Sequence, residues 1–155
     1  MGIIADRLQG ICTKLQPPTL TEPLQEISGG HISQALLNKQ IMNAGMSRKN
    51  LDSKYWVCSR IDFDAIIKWD WTNDKKYVAE KYDCDNFAFS FKARMDRKFH
   101  LNNVGLVIDY SGGHAYNCVV FSDGTAELFE PQSDRFVTDR IGTGQYKCQE
   151  GIIVF

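Results

Sequence analysis

Two residues of this chain have the types and settings that thiol chemistry requires. His114 follows two glycines in the stretch YSGGHAYN, residues 110–117, and opens a run that alternates like a β-strand. Cys84 follows Asp83 at the beginning of an apolar stripe with helical spacing. A histidine close to a cysteine can accept the thiol proton, and a third polar group then orients the imidazole. The pattern therefore indicates a Cys–His pair, provided that the fold brings the two residues together.

The position of Cys84 favours a reactive thiol. A helix is predicted from about Cys84 to Arg97 because the apolar residues Phe87, Ala88, Phe91 and Met95 share its face. Free N–H groups and the helix dipole stabilise an anion at such a helix start, which makes a thiol there a better nucleophile. Packing alone also accounts for Cys84, since it continues the stripe. Packing is the simpler account of the other cysteines, Cys12, Cys58, Cys118 and Cys148.

Glu130 is the candidate for the third group, and the turn at 122–124 decides whether it reaches His114. A two-residue turn places Glu130 on the opposite face of the sheet from His114. A three-residue loop with Gly124 in the left-handed conformation places Glu130 opposite Tyr116, on the same face as His114. The sequence permits both turns, and only the second allows a triad.

The hydrophobic period changes midway along the chain. Helices are predicted at 31–45 and 59–69, ahead of the helix that begins at Cys84. Beyond residue 100 the period becomes two, and strands are predicted at 104–110, 114–121, 125–130, 135–138 and 151–155. Helices followed by mostly antiparallel strands are typical of an α+β domain.

The first 23 residues differ from the rest of the chain in their sequence pattern. Residues 1–15 have helical spacing, and the Pro-rich stretch at 16–23 must be extended. We interpret 1–23 as an N-terminal arm or peripheral helix, suited to contact with a partner, and 24–155 as a single domain. The sequence does not fix the oligomeric state.

Composition narrows the classes of partner. The 155 residues carry a formal net charge of -1 and 24% charged residues, so neither a basic nucleic-acid-binding surface nor an acidic tail is expected. No apolar run approaches the roughly 20 residues of a membrane span, and the first residues lack the order of a signal peptide. The five cysteines contain no CxxC pair, which predicts free thiols in a reducing, cytoplasmic compartment.

Three motifs in order carry a resemblance to a known family. YDCDNFAFSFKARM, SGGHAYN and LFEPQSDRF resemble the papain-like cysteine protease domain at the C-terminal end of a fungal agglutinin from Marasmius, and small phage-encoded proteins with that domain. The resemblance implies a papain-like α+β fold, in which N-terminal helices and a central helix with the nucleophile pack on a mostly antiparallel sheet. It implies that Cys84 is the nucleophile, His114 the general base and Glu130 the residue that orients His114.

The same resemblance implies a Ca²⁺ or Mn²⁺ ion beside the site and no organic cofactor. Asp85, Asn86 and Gln132 occupy the positions of its ligands, and oxygen ligands suit a hard cation. Asn86 stands where the family pattern often has a second aspartate, which removes one negative charge. Helix-terminus chemistry alone also accounts for Asp85 and Asn86.

The function that follows is a cysteine-dependent hydrolase or acyl transferase, activated by calcium, that acts on an amide bond of a peptide, isopeptide or protein substrate. The alternative is a non-catalytic, phage-type structural or host-interaction module that keeps the fold. A phage origin would place the protein in the host cytoplasm or the virion. A third reading is a packed α+β domain in which Cys84 and His114 never meet.

Overall fold

The computed structural model describes residues 16–155, so the helix predicted at 1–15 lies outside the described residues. Within them the helices are α1 (Gly29–Asn38), α2 (Arg60–Trp69) and α3 (Cys84–Phe99). The strands are β1 (Gln25–Ser28), β2 (Met46–Lys49), β3 (Lys54–Val57), β4 (Val104–Asp109), β5 (His114–Val120), β6 (Ala126–Glu130), β7 (Arg135–Phe136) and β8 (Gly151–Val154). None of these helices is long and apolar enough to cross a membrane.

Six strands form one mixed sheet in the order β2-β8-β4-β5-β6-β7. The pair β2–β8 is parallel, and the other neighbours in this sheet are antiparallel. β1 and β3 form a separate antiparallel pair. The expectation that the helices precede all the strands is therefore wrong, because β1 precedes α1, and β2 and β3 lie between α1 and α2. Each has four residues, too few for alternation to distinguish a strand from a loop.

The large sheet separates two apolar clusters. Along β5, Tyr116, Cys118 and Val120 face the cluster that includes α1, whereas Val119 faces the cluster that includes α2 and α3. The second cluster is rich in aromatic rings, and the ring centroids of Phe91 on α3 and Phe129 on β6 are 4.6 Å apart. Burial of each such side chain contributes about 1.5–3 kcal/mol, so α3 is fixed firmly against the sheet.

α2 begins where the sequence predicts, and its first turn also holds the connector. The Ser59 hydroxyl accepts a hydrogen bond from the backbone N–H of Asp62 at 3.1 Å. The buried Asp62 carboxylate accepts from both the N–H and the hydroxyl of Thr21, each at 2.8 Å. Burial alone would raise the pKa of Asp62, but these donors lower it. The end of the predicted arm is therefore bound to the domain.

α1 ends at Asn38 rather than at the predicted Gly45. Gln40 has a left-handed backbone with φ of 59°, which a helix cannot continue through. Gly45 has another role, because a Cβ there would lie 1.8 Å from the Gln149 carbonyl oxygen. The glycine permits the chain to pass close to the loop before β8.

Candidate functional site

Acidic residues surround Cys84 at the beginning of α3. Asp83 is the N-cap residue, and its N–H donates to the Asn86 side-chain oxygen at 3.1 Å in a capping box. The ligand atoms of Asp83, Cys84 and Asp85 all lie within 4.8 Å of one another. A hydrogen bond with Asp83 raises the pKa of Asp85, and partial burial and the Asp83 charge act in the same direction. The cluster therefore concentrates negative charge around the thiol.

Contacts between α3 and the sheet fix the direction of the helix. The buried Asn117 side chain on β5 donates to the carbonyl of Ala88 at 3.0 Å. One turn further on, Lys92 Nζ donates to the carbonyl of Val104 at 2.9 Å, and Val104 pairs with Val119 on β5. α3 and β5 therefore run in the same direction, which places Cys84 and His114 at the same end of the sheet.

Asp109 holds the turn that leads into His114. Its buried carboxylate accepts from the Ser111 hydroxyl at 2.5 Å, the Gly112 N–H at 2.8 Å and the Tyr116 hydroxyl at 3.0 Å. The N–H of Cys148 donates to the same carboxylate at 2.8 Å. Burial alone would raise the pKa of Asp109, but these donors lower it. The ionised carboxylate is thus the organising centre of the turn.

The two positions before His114 require glycine for different structural reasons. A Cβ on Gly112 would lie 2.2 Å from the backbone oxygen of Gln145, so only glycine permits this close approach. Gly113 has open space around it but a φ of +63°, in the left-handed region. The glycine pair therefore makes the turn that sets His114 as the first residue of β5.

The β5–β6 turn is the three-residue loop that allows a triad. The Phe121 N–H donates to the Thr125 carbonyl at 2.9 Å, and Gly124 has a φ of +79°. Asn117 consequently faces Phe129, as the three-residue alternative predicts. His114 Nε2 lies 2.7 Å from Glu130 Oε2. The structure thus pairs His114 with Glu130.

Further donors reinforce Glu130, which is buried. The Tyr146 hydroxyl donates to its Oε2 at 2.9 Å, and the Gln132 N–H donates to its Oε1 at 3.2 Å. Burial alone would raise the pKa of Glu130, but the hydrogen bonds from His114 and these groups lower it. Tyr146 could not be predicted from the sequence, because nothing in its local pattern relates this loop residue to β6.

Cys84 lies at the same end of the sheet as this pair but is not bonded to it. His114 and Glu130 share the face of the sheet that carries Tyr116, whereas α3 packs on the other face through Asn117. The structure contains no hydrogen bond between Cys84 and His114. The structure therefore contains the bonded His114–Glu130 pair and places Cys84 at the same end of the sheet, and the triad itself stays a prediction.

The predicted metal ligands are also only partly brought together. Asp85 belongs to the acidic cluster, but the Asn86 side chain caps α3 and Gln132 binds Glu130 through its backbone. Asp83, the N-cap residue of α3, is the residue that joins Asp85. The carboxylates of Asp83 and Asp85 therefore form the better candidate pair of ligands.

The other described cysteines have packing roles. Cys58, Cys118 and Cys148 are buried free thiols, whereas Cys84 is partly exposed. Burial raises the pKa of Cys58 to about 12 and raises the pKa of Cys118 and Cys148. Among residues 16–155, Cys84 is thus the cysteine that a reagent in solution can reach.

Comparisons with known proteins connect the chain to lectins. The family model described as "Ricin-type beta-trefoil lectin C-terminal domain" matches residues 28–151. The solved structure "PSL1a-E64 complex" has 22% sequence identity and a TM-score of 0.66, over 84% of this chain and 51% of that chain. A Polyporus squamosus lectin bound to the human-type influenza-binding epitope Neu5Aca2-6Galb1-4GlcNAc has 22% identity and a TM-score of 0.65, over 84% and 49%. The chain therefore spans about half the length of these two structures. No curated protein matches the chain.

These findings overturn the identification drawn from the three motifs. The matching family model is that of a lectin domain and both solved neighbours are lectins. Four predictions are therefore wrong: the papain-like protease fold, the cysteine hydrolase or acyl transferase function, the peptide or protein substrate, and the likeness to phage proteins. The physical reason is that short Cys, His and Glu motifs describe one site, and a site does not define a family or an activity. With four fifths of its length matched by the model, the chain belongs to the family of ricin-type β-trefoil lectin C-terminal domains.

Proposed function

We propose that this domain is an interaction module of a lectin-type protein. Its ligand site is the sheet end where α3 and β5 begin, named here the α3–β5 edge and formed by Asp83, Cys84, Asp85, His114 and Glu130. The observation that carries the proposal is the His114–Glu130 pair, in which both side chains are more than nine-tenths buried. A buried carboxylate is costly and adds little to stability even when it is paired, which favours a role in binding for this pair.

The hydrogen bonds of His114 define what the edge offers to a ligand. Because Nε2 is engaged by Glu130, Nδ1 is the ring nitrogen left without a partner among residues 16–155. In a neutral imidazole whose Nε2 donates, Nδ1 is a hydrogen-bond acceptor. We assign Cys84 as the thiol that contacts the ligand, His114 as its proton acceptor and Glu130 as the residue that orients His114.

A divalent cation, Ca²⁺ or Mn²⁺, completes this edge in our proposal. Two carboxylates within 4.8 Å of each other suit a hard cation, which prefers oxygen ligands. The raised pKa of Asp85 reflects the proximity of Asp83, and a cation would relieve that repulsion. The cation would also offset the negative charge around Cys84.

Calcium titration by isothermal calorimetry tests this proposal. Wild-type protein should bind Ca²⁺, and Asp85→Asn should weaken binding by about tenfold or more, because one of two charged ligands loses its charge. Asp139→Asn removes an exposed carboxylate that is not part of the acidic cluster and should leave the affinity unchanged. Absence of calcium and manganese binding, or equal loss in both variants, would contradict the cation site.

Saccharide recognition is a second candidate function. It is favoured by the Polyporus squamosus lectin structure, which was solved with a sialylated trisaccharide. Because the chain spans about half of that protein, the isolated chain must be tested directly. Heat released on titration with the same trisaccharide would support this candidate, and none at millimolar concentration would argue against it.

A further inference from the structure

A basic cleft lies on the outer side of α3, away from the buried face of that helix. It has a volume of about 540 Å³, and its lining includes four basic side chains and no acidic one. The basic residues are Lys75, Arg94, Arg97 and Lys98. A cavity of this size is within the usual range of small-molecule sites. The α3–β5 edge does not use any of these four residues.

Arg94 lines the cleft and lies next to a buried carboxylate and two indole rings. Its Nε lies 2.9 Å from the fully buried carboxylate of Asp70, which also accepts from the Thr72 N–H at 2.8 Å. The guanidinium carbon lies 4.6 Å from the Trp69 ring centroid and 5.7 Å from that of Trp71. Its terminal nitrogens have no hydrogen-bond partner within residues 16–155. A preorganised guanidinium with free donors is suited to a carboxylate or sulfate.

The other three basic residues are exposed and form no ion pair within the described part of the chain. Arg94 and Lys98 are four residues apart on α3, and like charges at this spacing destabilise a helix. The helix dipole accounts for Arg97 and Lys98, which lie in the last turn of α3. It does not account for Lys75 or Arg94. A bound anion would offset the repulsion among all four.

We propose that the basic cleft binds an acidic saccharide, a sugar that carries a carboxylate or sulfate group. The Trp71 ring is 37% exposed at the cleft and offers a surface for the apolar face of a sugar. The hydroxyls of Tyr82 and Ser90, 3.0 Å apart, are hydrogen-bonding groups for sugar hydroxyls. The inference rests on saccharide recognition, the second candidate function above, and requires neither Cys84 nor a cation.

The arrangement favours a saccharide over a nucleic acid. Single-stranded nucleic acids need a basic groove that follows several phosphates and successive stacking rings. Here the cleft is local and Trp71 is its one indole, while the chain as a whole has a net charge of -1. These features fit one acidic group next to one sugar ring.

Calorimetric titrations with four probes test the inference in low salt with EDTA. The probes are sialyllactose, a sulfated lactose, neutral lactose and AMP. Both acidic sugars should bind, and the triple variant Lys75→Gln/Arg97→Gln/Lys98→Gln should weaken their binding by about tenfold or more. Lys68→Gln, which removes an exposed lysine from the last turn of α2, should change the affinity by less than about twofold.

Each other outcome overturns the inference. Equal binding of neutral lactose would exclude recognition of the acidic group, and binding of AMP alone would identify a nucleotide site. Unchanged affinity in the triple variant would place the saccharide elsewhere. If no sugar binds while calcium and Cys84 behave as proposed, the inference fails and the proposed α3–β5 edge stands.

Discussion

At the scale of residues, the site depends on carboxylates that are buried and ionised. Asp109 accepts four hydrogen bonds in the turn before His114, and Glu130 accepts three around the imidazole. In both residues burial opposes ionisation and the donors overcome it, so both pKa values are lowered. The side chain that orients His114 and the side chain that shapes its turn are therefore both stabilised as anions.

The lowered pKa of Asp109 predicts acid sensitivity. A group whose pKa is lowered by folding stabilises the native state at pH values above its ordinary pKa, which is near 3.8 for Asp109. This stabilisation is lost as the pH falls through the lower pKa of the folded state. Wild-type protein should therefore lose unfolding free energy as the pH falls below about 4. Asp109→Asn should be less stable at pH 7 and should lose less over the acid range.

Urea unfolding at a series of pH values checks this prediction. Asp139→Asn is the control, because its exposed side chain makes no hydrogen bond within residues 16–155. A pH profile of Asp109→Asn that is parallel to the wild-type profile would show that Asp109 does not supply this stability.

Much of the His114 turn could be predicted from sequence, and the remainder could not. The glycine pair indicates the turn before His114 locally, whereas the sequence permits either a two-residue or a three-residue turn at Gly124. The partners Asp109 and Tyr146 reach the site through folding of distant segments. That Asp109 accepts and Tyr146 donates hydrogen bonds at the site follows only from the folded positions of β4 and the loop before β8.

At the scale of elements, α3 and β5 must keep their relative position for the α3–β5 edge to exist. Asn117 connects them, since its side-chain NH₂ donates to Ala88 on α3 at 3.0 Å and to Gly105 on β4 at 3.2 Å. The long, strongly periodic elements α2, α3, β4, β5 and β6 are predicted close to their observed bounds. The short strands β1, β2 and β3 are not predicted, because their pairing depends on segments that are distant in sequence.

Asn117→Ala should distinguish an effect on the position of α3 from an effect on the overall stability of the domain. Loss of two buried hydrogen bonds should cost about 1–3 kcal/mol of unfolding free energy. Asn103→Ala is a matched control, because Asn103 is equally buried and donates to the Val120 carbonyl at 2.8 Å, away from α3. Both variants should be destabilised in urea, but Asn117→Ala alone should change the calcium affinity of the α3–β5 edge. Equal effects of both variants on calcium would contradict this positioning role.

At the scale of the whole molecule, two sites of opposite charge lie on either side of one short segment. Tyr82 lines the basic cleft, and the next residue, Asp83, belongs to the acidic cluster. The net charge of -1 conceals this separation, so composition alone could not predict it. The family could not be predicted either, because the motifs around Cys84, His114 and Glu130 report a local arrangement that the family comparison places in a lectin domain.

The rate of Cys84 alkylation by iodoacetamide tests the central claim, that Cys84, His114 and the acidic cluster form one site. The protein should carry Cys12→Ser, since Cys12 lies outside the described residues, and mass spectrometry should locate the adducts. At pH 7 Cys84 should react faster than the three buried cysteines, and calcium should increase its rate. His114→Ala should slow the reaction by about tenfold or more, whereas His31→Ala, an exposed histidine on α1, should not. The buried cysteines should stay unreactive in every variant, which shows that the fold is intact. A Cys84 rate that is unchanged by both calcium and His114→Ala would contradict the account.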